Sequence, residues 1–580
     1  ICELNFQTAL RVPARSRLPM QEINSAYKAT KFGLFHIKLL AVSFTGFIAG
    51  VLVSNTTSYL LPMAECDLKM SLLQKGLLNA IPYLGMLLSS VVAGFLTDAF
   101  GRKIFVVVGY GGICFFSLIA GTSQTYEVLV GAKFFEGLLF ATAFSAVVTL
   151  TSEFCHDGIR DRVMLCQSSF AAIAQIVVPA ISWGMLTNDW KYSMFGGKIG
   201  EFEIFFQTIY IKIFYCFVYF ELMFYRLYNK KTCKTLKTFL HLFFAVLNTW
   251  NFYLLAMSSW SLLSSLLYCF FIPESPKFLI TKNRYDEARD ILTRMYRENT
   301  WKPANTYAYA NIWKDKVKET LTAVEEEKEH SFRYQIVIGL HNVKPMFMKP
   351  YVGNLVLICC LNFFIMALYN IVRLWFPQLS TIVEHYKVDD SQDLCEMLDT
   401  YTNDLRVHAR NASASDVCVP VTETYINSII MGCVCILPYF VTGVLVNRVG
   451  KKFLFIAAGL ICVGAICGIR WANTKAAIVA LFSIVTAIAQ VTLSLNQAIT
   501  VEFFPTTTRT LAISLMMLNG RIGTLVGNIM FPILLDMGCV IPFYTMTGMM
   551  IFDCPCVKNT SLNIYIILLG NPLILYLINI

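Results

Sequence analysis

Charge is what this sequence has least of. Asp, Glu, Lys and Arg make up 14% of its 580 residues, against about 25% in an average soluble chain, while 56% are hydrophobic and mean hydropathy is +0.59. So little polar surface excludes a soluble globular protein. A phosphate-binding GxxxxGK[ST] loop is also missing, so ATP is not an evident energy source. The 7 histidines and 19 cysteines never fall into metal-ligand spacing, which leaves no expected metal, cofactor, nucleic-acid partner or enzyme chemistry. The cysteines do not read as a disulfide framework. Most lie inside apolar stretches as small packed residues, and only Cys395 and Cys418 share a polar loop from which they could bridge. No cleaved signal is expected either, because the basic start (Arg11, Arg15, Arg17, Lys28, Lys31, Lys38) leads into an apolar stretch without a small-residue cleavage site.

What is present is a series of apolar stretches of roughly twenty residues, the length that crosses a bilayer core of about 30 Å. They are read at about 35–61, 76–96, 104–120, 128–151, 163–186 and 254–272, then at 351–376, 425–446, 453–469, 476–500, 511–534 and from 540 onward. The expectation is an all-α membrane protein of twelve helices, six plus six. Residues 1–34 form an N-terminal cytoplasmic segment, 35–272 the first half, 273–349 a charged linker and 350–557 the second half with an external loop at 380–424. The stretch 196–237 fits neither half. Counting its apolar run as a span would invert everything after it, so it is read as an insertion, such as a retained intron. The tail 558–580 has the same composition and is read the same way.

The two halves share a plan. GFLTDAFGRK, from Gly94 to Lys103, recurs as GVLVNRVGKK, from Gly443 to Lys452, and 443 − 94 = 349. The same offset carries Glu153 to Glu502 and Arg160 to Arg509. Parallel repeats in an apolar chain point to a transporter. Lys and Arg gather in the repeated loops (Arg102, Lys103, Arg160, Arg162, Arg448, Lys451, Lys452, Arg509), which the positive-inside rule assigns to the cytoplasm. The acidic segment 380–423 then faces the other side with its Asn411-Ala412-Ser413 sequon, a glycosylation candidate. Around each loop a gate is expected from Gly94, Asp98, Gly101, Arg102, Lys103, Glu153 and Arg160, and from Asn447, Gly450, Lys451, Glu502 and Arg509. The glycines allow close packing, Asp98 suits the positive end of a helix, and the basic pair stays at the surface.

Charges deep in spans mark function because each costs about 2.5–3.5 kcal/mol without a partner. Lys133 and Glu136, three apart, are candidates for the cavity, although at that spacing the favoured reading is that they neutralise each other. Arg521 has no acid nearby in sequence and is the leading candidate for a cavity charge. Asn519, Asn496, Gln497, Asn370 and Gln175 could line the same cavity, as could Asn362 and Asn528, although helix-packing hydrogen bonds would occupy such residues equally well.

The repeated motif, PESPKFL at Pro273 to Leu279, NRYDEARDILTRMYRENT after it and VEFFPTTTRT before the eleventh span together resemble the major facilitator superfamily, most of all its synaptic vesicle glycoprotein 2 and organic-ion-transporter-like group. That resemblance implies a two-half fold, Asp98 against the start of the eleventh helix, and Arg102 near Glu153. Asn447 stands where an acid is common, so the second copy of the latch departs from the pattern. Leu39 to Tyr59 contains no acid, which argues against proton coupling through the first span. The expected function is alternating-access transport of a small organic ion or metabolite across a lipid bilayer, in the plasma membrane or a secretory or synaptic vesicle. The alternative is a vesicle membrane protein that acts through vesicle or cytoplasmic protein partners with little or no transport.

Overall fold

Small polar caps and glycines cut the apolar sequence into helices at nearly the expected places. The computed structural model describes residues 14–187, 248–309, 347–348, 351–386, 392–408, 421–504 and 509–558. All regular structure among these is helical. The first half holds α1 (Ala14–Thr30), α2 (Leu34–Asp67), α3 (Leu72–Phe100), α4 (Arg102–Gly121), α5 (Tyr126–Glu153), α6 (Asp157–Leu186) and α7 (Thr249–Phe271). Two linker helices follow, α8 (Pro276–Thr281) and α9 (Tyr285–Thr300). The second half holds α10 (Tyr351–Tyr386), α11 (Leu394–His408), α12 (Thr422–Val449), α13 (Lys451–Ile469), α14 (Lys475–Phe503), α15 (Arg509–Asp536) and α16 (Val540–Lys558).

Eleven of the twelve expected spans fall within α2 to α6, α10 and α12 to α16, and the remaining one, 254–272, within α7 but for its last residue, so that the long helices form two sets of six. The insertion read at 196–237, the residues after Lys558, Asn411 and Cys418 lie outside the described residues.

The caps explain several boundaries. Ser71 and Gln74 form a capping box at the start of α3, with Gln74 N donating to Ser71 Oγ at 3.3 Å and Ser71 N to Gln74 Oε1 at 2.8 Å. Ser275 caps α8, and Pro276 occupies its first turn. Gly101 and Gly450 link α3 to α4 and α12 to α13 at φ of 99° and 90°, a region that glycine enters without steric cost. Since 450 − 101 = 349, the repeat seen in the sequence is also a repeat of backbone conformation.

Two span ends differ most: α10 runs ten residues past the expected end at 376, to Tyr386, into the segment read as external loop, and α2 also overruns. The first span was expected to stop near Leu61, before Pro62, yet α2 continues to Asp67. The extra turns are anchored rather than frayed. Asp67 Oδ2 accepts hydrogen bonds from Trp250 Nε1 (2.8 Å) and Asn248 Nδ2 (2.7 Å) at the start of α7, and Glu65 pairs with Lys75.

In the first half α4 packs on α5 and α7, α3 on α5, and α2 on α6 and α7; in the second, α10 packs on α14 and α15, and α13 on α14 and α16. The halves meet where α3 lies on α15, α6 on α12, and α2 on α10. A Cβ at Gly137 would collide with the Pro82 carbonyl, and one at Gly523 with the Phe363 carbonyl. Glycine is thus what lets α5 approach α3 and α15 approach α10. The linker helix α9 buries Ala288, Leu292 and Met295 along one face, as its charged sequence with apolar residues at helical spacing predicts. Its Asn299 Oδ1 accepts from Phe35 N at 2.9 Å while Nδ2 donates to the Lys31 carbonyl at 2.9 Å, so the linker caps the start of α2.

Candidate functional site

At the repeat-loop face, Arg102 lies 3.0 Å from Glu153, each side chain 16% exposed. Lys451 pairs with Glu502. Because 102 + 349 = 451 and 153 + 349 = 502, one ion pair recurs at the repeat offset. The first copy is further braced by the PESPKFL segment: Glu274 Oε2 accepts from Lys103 N at 3.2 Å, Lys103 Nζ donates to the Cys269 carbonyl at 2.9 Å, and Phe278 lies under the Arg102 guanidinium at 5.7 Å. Ion pairs at the edge of the bundle, still reached by water, contribute about 0–1 kcal/mol each. Arg160 sits in the first turn of α6. The side chains of Asp98, Asn447 and Arg509 lie outside those described, as does the surrounding of Gly94.

The far face carries a denser arrangement. Glu65 at the end of α2 and fully buried Lys75 on α3 form an ion pair within the first half. Two groups of the second half close over it. Lys75 Nζ donates to Tyr401 Oη at 2.6 Å, Tyr401 Oη donates to Glu65 Oε1 at 3.2 Å, and Gln378 Nε2 donates to Glu65 Oε2 at 3.0 Å. Tyr401 belongs to α11, which is fastened to its own half by Arg406 to Asp536 (2.9 Å), by Asp399 Oδ1 accepting from Cys539 N (3.0 Å), and by a Cys395–Cys539 disulfide. The expected Cys395–Cys418 bridge is therefore corrected. Nearness within the loop suggested Cys418, whereas α11 turns its Cys395 onto the α15–α16 junction, 144 residues away in sequence. Burial and the Glu65 carboxylate push the Tyr401 phenol well above its ordinary pKa, so it stays a hydrogen-bond donor.

Between these faces, at the contact of the halves, lies Arg373 on α10. Its Nη2 donates to Tyr83 Oη across the interface (2.9 Å) and to Asn370 Oδ1 (2.8 Å), its guanidinium stands 5.1 Å from the centre of the Tyr369 ring, and its Nε is buried without an acceptor. Tyr369 Oη accepts from Gln175 Nε2 on α6 at 2.8 Å, and Asn370 Nδ2 donates to Thr524 Oγ1 on α15 at 2.9 Å. One turn along α15 from Thr524, Arg521 donates from Nη1 to the Met86 carbonyl of α3 at 3.0 Å. Tyr83 and Met86 are three residues apart, about 4.5 Å along the helix axis, so both guanidiniums meet the same stretch of α3. Neither is paired with a described carboxylate. The buried acids are engaged elsewhere: Glu65 with Lys75, and Glu136 with Lys133 at 2.8 Å, where Lys133 Nζ also donates to Thr56 Oγ1 at 3.1 Å.

Of the residues proposed from sequence to line a cavity, Arg521, Asn370 and Gln175 come together at this interface. Lys133 and Glu136 instead neutralise each other inside the first half, 1% exposed each. Asn362 and Asn496 serve helix packing, with Asn362 Nδ2 on the Met516 carbonyl (2.7 Å) and Asn496 Nδ2 beside Asn362 Oδ1 (3.5 Å). Asn519 and Asn528 bond to carbonyls of their own helix, and Gln497 lies on α14. Sequence reasoning missed Arg373, although it is a charge 22 residues into an apolar helix (373 − 351 = 22). It also missed Glu65 with Lys75, which bracket a turn and looked like ordinary boundary charges.

Comparison with known proteins agrees with this architecture. Residues 42–197 match the Major Facilitator Superfamily model and residues 229–373 the Sugar (and other) transporter model; the gap between them falls inside the stretch read as an insertion. The chain is 28% identical over 202 residues to svop-1 of Caenorhabditis elegans, covering 33% of this chain and 38% of that protein. It is 22% identical over 358 residues to synaptic vesicle glycoprotein 2B of Rattus norvegicus, covering 60% of this chain and 44% of that one. It thus spans under half the length of these relatives. Among solved structures, the xylose transporter XylE of E. coli in a partially occluded inward open conformation superposes with a TM-score of 0.56 at 12% identity, covering 91% of this chain and 100% of that one. Family models and fold are those of transporters, in an integral multi-pass membrane protein.

Proposed function

We propose, for a chain that has the major facilitator fold and resembles the synaptic vesicle glycoprotein 2 group, that it carries a small organic ion or metabolite across its membrane by alternating access. The observation that supports this best is the polar seam between the halves. Arg373 and Arg521 are half-buried there, at the contact of α3, α10 and α15, and a charge held between two rigid six-helix bodies is met by whatever binds between them.

In this reading residues 35–272 and 350–557 are the moving bodies and 273–349 the cytoplasmic linker. The repeat-loop face is cytoplasmic, on the strength of its Lys and Arg. The gate there comprises Gly94, Asp98, Gly101, Arg102, Lys103, Glu153 and Arg160 with their second-half counterparts. The Glu65, Lys75, Gln378 and Tyr401 cluster is the opposing latch, and the conformer described has that latch shut. Mutual exclusion of the two closures is what would convert binding into transport.

Uptake by purified protein in proteoliposomes tests the proposal. Saturable, concentrative or exchange flux of an organic ion, lost in Arg521→Ala, is the expected result. The vesicle glycoprotein relatives favour a second reading, a vesicle protein acting through partners. Monodisperse, folded protein inert toward a broad panel of organic ions would favour that reading and remove the first.

A further inference from the structure

We propose that the seam at Arg373 is a binding site for an organic anion, a carboxylate carried on a flat apolar body. This deepens the transport reading and rests on it for the direction of movement, though not for binding itself.

Charge balance is the first argument. The described buried acids are each matched by a lysine, Glu65 by Lys75 and Glu136 by Lys133, and this leaves two guanidiniums on one stretch of the interface without a described carboxylate. Arg373 has found only neutral partners, the Tyr83 hydroxyl and the Asn370 amide oxygen, both through Nη2, with Nε buried and unused. Nε–H is the donor left without an acceptor; a planar carboxylate taking Nε–H and the parallel Nη2–H side-on would replace one of the two neutral partners of Nη2 with a charged one. A cation would meet repulsion from both arginines, and a neutral ligand would leave both uncompensated. An anion supplies what the site lacks.

The walls are the second argument. Tyr369 presents its ring to the Arg373 guanidinium, Tyr83 its hydroxyl, and Tyr59 of α2 faces Tyr425 of α12 across the halves with ring centroids 6.4 Å apart. Tyr59 and Tyr425 are themselves largely buried. Aromatic rings from both halves, combined with a guanidinium, suit a flat ligand body with one acidic end.

The test is equilibrium binding to the purified full chain in nanodiscs, with three probes of one shape: benzoate, benzamide and benzylammonium. Benzoate is expected to bind saturably, and the neutral and cationic probes at least roughly tenfold more weakly. Arg373→Gln should weaken benzoate roughly tenfold to a hundredfold, the range for a lost charge-assisted hydrogen bond, while Arg373→Lys should retain the preference for the anion. Should Arg373→Gln fail to fold, the wild-type ranking of the three probes still decides. Equal binding of all three, preference for benzylammonium or benzamide, or no benzoate binding at millimolar concentration overturns the proposal. So does chloride displacing benzoate at equal concentration, which would assign the charge to a halide. Saturable benzoate binding without uptake of any substrate leaves the anion site standing and removes transport. Uptake of a cation, unchanged in Arg373→Gln, does the reverse.

Discussion

Tyr401→Phe isolates what the far-face cluster contributes to holding the halves together. Lys75 and Glu65 both belong to the first half, so their ion pair survives separation of the halves; the Tyr401 hydroxyl and the Gln378 amide are what cross. Substituting Lys75 would be a poorer experiment. It strands a buried carboxylate and costs about 3–5 kcal/mol of fold stability regardless of conformation. The phenylalanine keeps the ring that packs against Tyr386, 5.8 Å between centroids, and removes only the hydroxyl, which bonds an ammonium at 2.6 Å and a carboxylate at 3.2 Å. Hydrogen bonds to charged groups are worth about 1.5–3 kcal/mol net, so the ratio of latched to unlatched molecules should fall roughly 10- to 140-fold.

Single-molecule energy transfer between dyes on Leu73 and Met537 would read that ratio. Both residues are exposed at the far ends of α3 and α15, 50% and 68% respectively, and non-natural amino acids would leave the native cysteines untouched. Thr400→Ala is the control, since Thr400 sits one residue away on α11 and bonds only the Glu396 carbonyl of its own helix, at 2.8 Å. A Tyr401→Phe distribution that overlays wild type, or an equal shift in Thr400→Ala, would refute the assignment of the latch to this hydroxyl.

Two further outcomes follow from the same geometry. Cys395→Ser or Cys539→Ser should lower stability by about 2–4 kcal/mol, the usual range for a disulfide, and a reductant should lower the unfolding temperature of the wild type to about that of the variants without affecting either variant; a wild type insensitive to reductant contradicts the bond. Lys133→Met should destabilise by about 3–5 kcal/mol because Glu136 is left buried and uncompensated, whereas Lys133→Met with Glu136→Leu should recover most of that loss; thermal unfolding in detergent measures both, and additive losses would show that the two residues are not a pair.

Most of the fold could be read from the sequence because its signals are local. A stretch of some twenty apolar residues specifies a crossing helix whatever surrounds it, and Gly101 and Gly450 mark their turns by chemistry alone. The error at the end of α2 is informative. Pro62 and Glu65 argue for termination when read locally, and only Lys75, Asn248 and Trp250, brought from other helices, make the extra turns stable. The disulfide failed for a related reason. Cys418 was the nearest partner along the chain, while the pairing of Cys395 depends on where α11 lies against the α15–α16 junction. The candidate site was legible only in fragments. Arg521, Asn370 and Gln175 were flagged one by one as polar residues in apolar spans, but Arg373 acquires meaning only beside Tyr83 of the other half and with no described acid against it, and such a three-dimensional setting has no signature along a chain.

The repeat itself separates what is shared between the halves from what is particular to this protein. At the loop face the offset preserves nearly everything: glycine at positive φ, a basic residue after it, and an ion pair to a glutamate, as Arg102 with Glu153 becomes Lys451 with Glu502. Deeper in, the correspondence ends. Lys133 and Glu136 map, through 133 + 349 = 482 and 136 + 349 = 485, onto Phe482 and Val485, both packed in the second-half core at 1% and 0% exposure. Arg521 maps back, through 521 − 349 = 172, onto Ala172. Mechanics common to two bodies that rock against each other need the same hinge chemistry in each, and duplication supplies it. A ligand held between the bodies sees two different surfaces, so the groups that recognise it are free to diverge. The unrepeated charges divide further into those that are neutralised within one half and those that are not. Among the described charges well inside the spans, Arg373 and Arg521 are the two that are both unrepeated and without a described carboxylate partner, and both reach across the seam to α3. Their partners there are neutral, Tyr83, Asn370 and the Tyr369 ring for Arg373 and the Met86 carbonyl for Arg521, and that is the observation on which the proposed anion site rests.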